Sequence, residues 1–359
     1  MRPWSLPDPL APMRIWVDLD NSPHPLLFAP IIRRLQELGH TVGITVRDHA
    51  QTLELTLERW PEATMIGGES PKSRARKAQI MFERVGPLRR WARSFGAEVA
   101  LSHSSRGQIV AARTLGLRVV TAMDYEGQPA NHVAFRLAHL ILLPAALRGS
   151  AVRRQGAAPR RTRFYRGFKE EIYLGDFEPD ADVLASIGVE SDGRAVVVAR
   201  TPPSRAIYHR FDNPLFEQVI RALDSDAGAR LVVLVRHPEQ RDAIRALRLA
   251  NAVVPDHAID SRSLMHEADL VIGAGGTMTR EAALMGIPTY SVFAGVQPAV
   301  DRELERQQRL HRLRTVDQLL PVKRRSRQPR TIPQLRVRAS QLVDTFVEAV
   351  ASMKTHASR

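Results

Sequence analysis

Residues Ala268 to Pro288 constrain the fold more than any other stretch, because an apolar strand, a glycine turn and a helix with one carboxylate follow one another without a gap. Leu270, Val271 and Ile272 supply the strand. Gly273, Gly275 and Gly276 let backbone approach a ligand, and Thr277 is placed to cap a helix that runs to about Met285 before Gly286 ends it. The first amides of such a helix have no internal partners and lie at the positive end of its dipole, so they suit a phosphate. Glu281, one turn beyond Thr277, is expected on the same side, as a surface carboxylate able to accept ribose hydroxyls. The alternative is that the glycines only permit a tight turn and Glu281 is a solvated helix residue.

The rest of the chain alternates in the same way and shows no internal repeat. Arg14–Leu19 reads as a strand, Leu26–Leu38 as a helix ended by Gly39, and Thr41–Val46 as a second strand. Gln51–Trp60, Arg74–Phe95, Val99–Ser102, Gly107–Leu115 and Val119–Ala122 continue the order, and Asn131–Leu143 leads into a basic stretch. From Ala195 the pattern restarts with Val196–Ala199, Leu215–Leu223, Leu231–Val235 and Glu239–Leu249, and it ends in the glycine-turn unit. Alternation of this kind gives parallel sheets, and 359 residues exceed one ordinary domain. The expected architecture is α/β, with two doubly wound Rossmann-like domains facing across a cleft. Residues 13–165 are expected to form the first domain and 166–322, with the phosphate-type turn, the second, with a linker near 148–180. Residues 1–12 are an extension, and 323–359 a basic tail and C-terminal helix. Ligands of such sheets sit beyond the carboxyl ends of the strands.

Composition excludes several classes. Hydrophobic residues at 44% and charged residues at 25% are ordinary globular values, which argues against disorder and coiled coil. With no cysteine, there is no disulfide, thiolate nucleophile or cysteine–zinc site, and a reducing, cytoplasmic location fits. The proline-rich opening, Met1 to Pro12, lacks the apolar core of a secretory signal, and Met13 is an alternative start. The most apolar run, Leu137–Leu147, contains His139 and Pro144 and is too short to cross a bilayer, so a soluble protein is expected.

The net charge of +14 comes from 52 basic against 38 acidic residues and is unevenly spread. One cluster is Arg148, Arg153, Arg154, Arg160, Arg161, Arg163, Arg166 and Lys169; the other is Lys323, Arg324, Arg325, Arg327 and Arg330. Such clusters attract phosphates, and the tail suggests an anionic membrane surface or a lipid-linked acceptor as partner. Nucleic acid is disfavoured, because aromatic residues make up only 6% and do not interleave with the arginines. Solvated loops are the plain alternative for both clusters.

These features resemble a known group. The two-domain layout is that of the GT-B glycosyltransferases and the related non-hydrolysing UDP-N-acetylglucosamine 2-epimerases, in which a Gly-Gly-x-x-x-x-Glu turn like Gly275-Gly276-Thr-Met-Thr-Arg-Glu281 holds the nucleotide. More closely, Val17-Asp-Leu-Asp-Asn-Ser-Pro-His24, Lys169-Glu-Glu-Ile-Tyr-Leu174 and Gly273-Ala-Gly-Gly-Thr-Met-Thr-Arg-Glu-Ala-Ala-Leu284 look like the "domain of unknown function 354" group, filed among predicted glycosyltransferases. The resemblance implies a nucleotide-sugar donor as substrate, with no cofactor and no required metal.

After the first strand, Asp20, Asn21, Ser22, Pro23 and His24 lead into a helix. His24, at the helix start with an ordinary pKa, is suited to take a proton from an acceptor hydroxyl. Many inverting GT-B enzymes use a histidine in a similar place, and on that resemblance His24 is the candidate base, with Asp18 or Asp20 orienting it or capping the turn. Asp18-Leu-Asp20 also resembles the opening motif of haloacid-dehalogenase-type phosphatases. That chemistry needs further acids for magnesium, and neither Asp124-Tyr-Glu126 nor Asp269 has the context.

An epimerase is disfavoured at particular positions: Leu27 stands where that family has lysine, His24 where it has glutamate, and Arg200-Thr-Pro-Pro-Ser-Arg205 lacks its His-Arg-x-Glu-Asn loop. Asp124 and Glu126 do fall near its acidic pair, and they are candidates to bind acceptor hydroxyls. Arg200, Thr201, Arg236 and His237 follow strands and are candidates for phosphate oxygens, while His103, Ser104 and Ser105 are weaker cleft candidates. None of the twelve histidines shows paired metal-ligand spacing. Three classes are therefore carried: a nucleotide-sugar-dependent glycosyltransferase, another sugar-nucleotide enzyme such as an epimerase or hydrolase, and a non-catalytic nucleotide- or polyanion-binding protein.

Overall fold

A computed structural model of the protein describes residues 12–49, 51–68, 74–190, 192–202, 214–235, 237–257, 259–319, 321–325 and 332–355. The chain divides into two compact units, one running to Tyr173 and resuming at Val337, the other spanning Leu174–Arg336.

The first unit contains, in order, β1 (Arg14–Leu19), α1 (His24–Glu37), β2 (Thr41–Val46), α2 (Thr52–Arg59), β3 (Thr64–Met65), α3 (Arg74–Phe95), β4 (Val99–Ser102), α4 (Arg106–Thr114), β5 (Arg118–Ala122), α5 (Asn131–Leu137), β6 (Leu140–Pro144) and β7 (Thr162–Tyr165). α6 (Lys169–Leu174) ends at the division between the units. The second unit contains β8 (Ala195–Arg200), α7 (Pro214–Ser225), β9 (Ala229–Leu234), α8 (Pro238–Ala246), β10 (Ala252–Val253), α9 (Ser261–Glu267), β11 (Leu270–Gly273), α10 (Thr277–Leu284), β12 (Thr289–Ser291), α11 (Ala299–Arg306) and β13 (His311–Arg312). The last helix, α12 (Ile332–Thr355), returns the chain to the first unit.

Both sheets are wholly parallel, seven strands in the order β3-β2-β1-β4-β5-β6-β7 and six in the order β10-β9-β8-β11-β12-β13. The order reverses between β1 and β4 in one sheet and between β8 and β11 in the other. At such a switch point the following helices diverge to opposite faces and leave room for a ligand beyond the carboxyl ends.

Periodicity explains the layers. β1 buries Ile15 to Leu19 on both faces, as parallel strands covered by helices do, and α1 buries Leu27, Phe28, Ile31, Ile32 and Leu35 along one stripe. In the second unit α7 presents Phe216, Val219, Ile220 and Leu223 at helical spacing to Val197, Leu231 and Val233. Each fully buried side chain of this size stabilises the fold by about 1.5–3 kcal/mol.

Three expectations change. Asn131–Leu143 is not one segment, because the backbone turns extended at Ala138 and the apolar run enters the sheet as β6. The stretch near 148–180 is not a plain linker: it contributes β7, which pairs with β6, and α6, so the first unit extends past the expected limit at 165 to Tyr173. The C-terminal helix, expected to form a separate region with the basic tail, does not stand by itself. From Val337 it belongs to the first unit, where Phe346 lies 5.8 Å from Tyr165 of β7 and Arg338 donates to Glu171 at 2.8 Å. Residues 1–11 of the expected extension lie outside the described residues. Among the described residues no helix is long and apolar enough to cross a membrane.

Candidate functional site

Each unit gathers polar groups at its own switch point. In the second unit the glycine turn follows β11 directly. Gly275 and Gly276 have φ of +81° and +90°, a region that side chains with a Cβ rarely adopt, so only glycine makes this turn without strain. The cap of α10 is Gly276 itself and has no side-chain hydrogen bond; Thr277, expected as the cap, is the first helical residue. The leading amides of α10 thus receive no capping oxygen from the turn. A Cβ on Gly276 would meet nothing within 4 Å, whereas one on Gly275 would meet Phe293 at 3.6 Å and Asp301 Oδ2 at 3.7 Å. The turn is tight on one side and open on the other.

Glu281 departs from expectation. It is 5% exposed, inside α10 with Thr279, Arg280 and Ala282 buried beside it, so it is a buried carboxylate and not a surface one. Next to it, Arg280 Nε donates to Asp301 Oδ1 at 2.6 Å in a buried pair that ties α10 to α11.

Arg200 ends β8, next to β11, and Thr201 follows it, so both lie at the same sheet edge as the glycine turn. Thr201 is buried, with Oγ1 donating to Gln240 Oε1 at 2.9 Å, and it pins β8 to α8. Arg200 Nη1 donates to the Val235 carbonyl at 3.2 Å. His237 caps α8 and is exposed, and Arg236 lies outside the described residues.

In the first unit the β1 and β4 loops meet. Asp18 is wholly buried and satisfied: Thr45 Oγ1 donates to Oδ1 at 2.5 Å, Arg84 Nη2 donates to Oδ1 at 3.1 Å, and Ser105 Oγ donates to Oδ2. It is a structural anchor joining β1, β2, α3 and the start of α4. Asp20 differs. Its Oδ1 accepts from Arg84 Nη1 at 3.1 Å and Arg47 Nη1 at 3.4 Å, and its side chain is still 15% exposed. Burial pushes the Asp20 carboxyl above its usual 3.8, with Arg84 pulling down and Asp18 pushing up.

His24 is buried, and its environment is far from ordinary. Burial first, then His103 and Lys169, holds its pKa well below 6.5 against a smaller upward pull from Asp124. The backbone N–H of Asp20 donates to His24 Nδ1 at 3.1 Å. Because that N–H can only donate, Nδ1 carries the lone pair and the proton of the neutral ring sits on Nε2. His24 Nε2 is therefore a hydrogen-bond donor, which removes both the ordinary pKa and the free basic nitrogen expected of it.

Around His24 the cluster continues. The His103 ring is 5.2 Å from it, and His103 Nε2 lies 3.3 Å from Asp124 Oδ1, within ion-pair distance though off hydrogen-bond alignment. Lys169 Nζ donates to Asp124 Oδ2 and, at 2.9 Å, to Glu170 Oε1. Ser104, at φ +59°, turns the chain from β4 toward α4 with its hydroxyl buried. The structure thus brings Asp20, His24, His103, Ser104 and Asp124 to one sheet edge. Glu126 sits on the turn after β5, half-buried, its carbonyl held by Gln155 Nε2 at 2.7 Å. Arg84 and Arg47, which set the charge of the site, give no signal in the sequence; Lys169 figures there only in the first basic cluster and in a motif. Among the described residues no group of three His, Cys, Asp or Glu could hold a metal ion.

Two parallel-sheet α/β units of this topology define the GT-B class of fold, and comparison with solved structures agrees. UDP-N-acetylglucosamine 2-epimerase from Rickettsia bellii superposes with a TM-score of 0.68 at 12% identity, covering 95% of this chain and 96% of that one. The UDP-GlcNAc 2-epimerase of Methanocaldococcus jannaschii gives 0.66 at 12% identity over 93% of this chain and 100% of its own. A glycosyltransferase of kitacinnamycin gives 0.57 at 16%, over 95% of this chain and 96% of its own. More specifically, the chain belongs to the family described as "Protein of unknown function (DUF354)", whose model matches residues 13–354. An uncharacterized protein of Methanocaldococcus jannaschii is 28% identical over 302 residues, 82% of this chain and 86% of that protein.

Proposed function

We propose that the protein is a cytoplasmic nucleotide-sugar-dependent glycosyltransferase that moves a sugar from a nucleoside diphosphate donor to an acceptor hydroxyl. The observation that carries this reading is the turn Gly275–Gly276: two positive φ values at a switch point, an uncapped helix start beyond, and open space beside Gly276. Helix amides placed this way stabilise a departing diphosphate without a metal. Thr277 and, from the neighbouring strand ends, Arg200 and His237 complete the phosphate side; Thr201 acts by holding that edge in place. Glu281, buried below the turn, shapes it and does not act as a solvent-facing ribose ligand.

In the first unit Asp20 is the base. Its carboxyl is partly exposed and more basic than usual, and it takes the acceptor proton as the acceptor oxygen bonds to the anomeric carbon and the C–O bond to the diphosphate breaks. The electron pair leaves on the diphosphate. His24 donates from Nε2 to an acceptor oxygen, and Asp124 and Glu126 offer acceptors for further hydroxyls. The membrane part of the expectation concerns the tail: Arg325 donates its backbone N–H to Asp269 and its guanidinium to the His266 carbonyl, which leaves its charge in place, and Arg327 and Arg330 lie outside the described residues. A lipid-linked acceptor stays within the proposal as one kind of hydroxyl substrate.

A sugar-nucleotide epimerase on the same fold is the alternative that the test must separate from it. The test is the purified protein offered UDP, GDP, CDP and dTDP sugars singly. The proposal expects one of them to raise the melting temperature, and to lose its sugar to an acceptor rather than change configuration.

A further inference from the structure

Between Glu126 and Glu170 the sequence holds eight arginines, one lysine and no acidic residue. The fold sets Arg136, Arg160 and Arg161 near the amino ends of β6 and β7, the opposite end of the sheet from Asp20 and His24, and Arg136 Nη2, donating to the Arg154 carbonyl at 3.3 Å, brings the Arg153–Arg154 turn beside them. Arg118 opens β5, His139 precedes β6 and Arg161 precedes β7. Arg113, in the last turn of α4, has Nη1 2.6 Å from His139 Nε2.

Two of the guanidiniums are held by backbone carbonyls, which fix them without neutralising them. Arg161 Nη1 donates to the carbonyls of Arg136 and Ala138 at 3.0 Å, and Arg136 Nη1 donates to those of His132 and Gln155 at 2.8 Å. Among the described residues no ion pair joins Arg113, Arg136, Arg153, Arg154, Arg160 or Arg161 to a carboxylate. His139 reports the resulting field: burial, then Arg113, Arg118 and Arg161, lower its pKa to about 4. On α5, Val133 is 44% exposed and lies three residues before exposed Arg136, so one helical face shows both an apolar and a cationic side chain.

We propose that this face docks on an anionic lipid bilayer. Charge complementarity is the first argument, because arginines such as Arg136 and Arg161, whose guanidiniums bond carbonyls, keep a positive charge that lipid phosphates stabilise and salt weakens. The shape of the face is the second. Its arginines come from separate short elements, and α4 and α5 reach it by their C-terminal turns, so no helix is presented for insertion into a nucleic-acid groove. The Phe164 ring is covered by the Arg148 guanidinium at 5.2 Å and is not open for base stacking. Val133 supplies the shallow apolar contact that an interfacial surface uses. This docking is independent of the proposed reaction, whose groups lie at the carboxyl ends of the strands.

The test sediments the full-length protein at low salt with vesicles of phosphatidylcholine alone or with about one-third phosphatidylglycerol. The proposal expects partitioning at least roughly tenfold stronger to the anionic vesicles, lost at about 0.5 M salt, where the Debye length is near 4 Å. A triple variant, Arg153→Glu, Arg154→Glu and Arg160→Glu, should lose that partitioning while keeping its melting temperature, because all three side chains are exposed. A milder triple change to glutamine should weaken it in the same direction. The pair Lys323→Glu and Arg324→Glu should retain binding. Equal partitioning to both vesicles, undiminished binding by both triple variants, loss through the tail pair, or displacement of the vesicles by RNA or duplex DNA overturns the proposal.

Discussion

Asp20→Asn separates chemistry from binding better than any other single change. The amide keeps the size of the side chain and can still accept from Arg84 and Arg47 through its oxygen, while the basic carboxylate is lost. Arg84 retains its bonds to Asp18 and the Ile66 carbonyl, so the buried guanidinium is not stranded. The carboxylate being removed is one that burial disfavours, so the expected stability change is small, within about 1 kcal/mol. Turnover should fall by roughly 10²–10⁴-fold, the usual worth of a positioned base, or about 2.7–5.4 kcal/mol of barrier. Nucleotide affinity should move less than about twofold, since the proposed donor site belongs to the second unit. The pH profile adds a sign. Turnover needs ionised Asp20, and its pKa lies above 3.8, so the acid limb of wild-type kcat/KM should fall above the ordinary aspartate range and disappear in the variant. Steady-state kinetics with titration calorimetry would measure both. Normal turnover with the true acceptor, or equal losses in rate and affinity, would refute the assignment.

Other outcomes follow from the same geometry. His24 has a depressed folded pKa, so it contributes stability that is present above about 6.5 and is lost as pH falls toward the lower value. Melting curves should therefore show wild type losing its margin over His24→Gln on acidification, and parallel curves would contradict the burial argument. Glu281→Ala should cost stability, about 1–3 kcal/mol in denaturant titration, as well as affinity, because the carboxylate is buried; an unchanged midpoint would return it to the surface. Breaking the buried pair by Asp301→Ala should cost about 3–5 kcal/mol, while replacing both partners by apolar residues should cost less, and additive losses would argue against direct coupling.

Much of the fold is legible in the sequence because strands and helices announce themselves by period. Arg14–Leu19, Thr41–Val46 and Val99–Ser102 form strands over the ranges their apolar residues mark. The residues of Thr162–Tyr165 were hidden: four residues between arginines carry too little period, and only pairing with β6 makes them a strand. Within Asn131–Leu143 the opposite holds, since one apolar stretch serves the end of a helix and then a strand, and no residue marks the change at Ala138. At the sites, glycine chemistry predicts the turn, but Gly276 with its positive φ takes the cap position that a threonine would ordinarily fill. Long-range partners leave no local trace. Nothing near Asp18 or Asp20 points to Arg84 in α3, and the tautomer of His24 is set by a backbone N–H that composition cannot reveal.

The central claim is that the turn at Gly275–Gly276 holds the diphosphate of a nucleotide sugar, and calorimetric titration of the wild type and Gly276→Val with the nucleotide that raises the melting temperature tests it most directly. The space beside Gly276 is open in the protein, so a valine there meets no side chain but must adopt a backbone angle of +90°, and it projects toward the proposed phosphate. The account predicts micromolar-range or tighter binding by the wild type and a loss of about a hundredfold or more in a variant that still unfolds cooperatively. Full affinity in folded Gly276→Val, or no nucleotide diphosphate bound by the wild type, would contradict it.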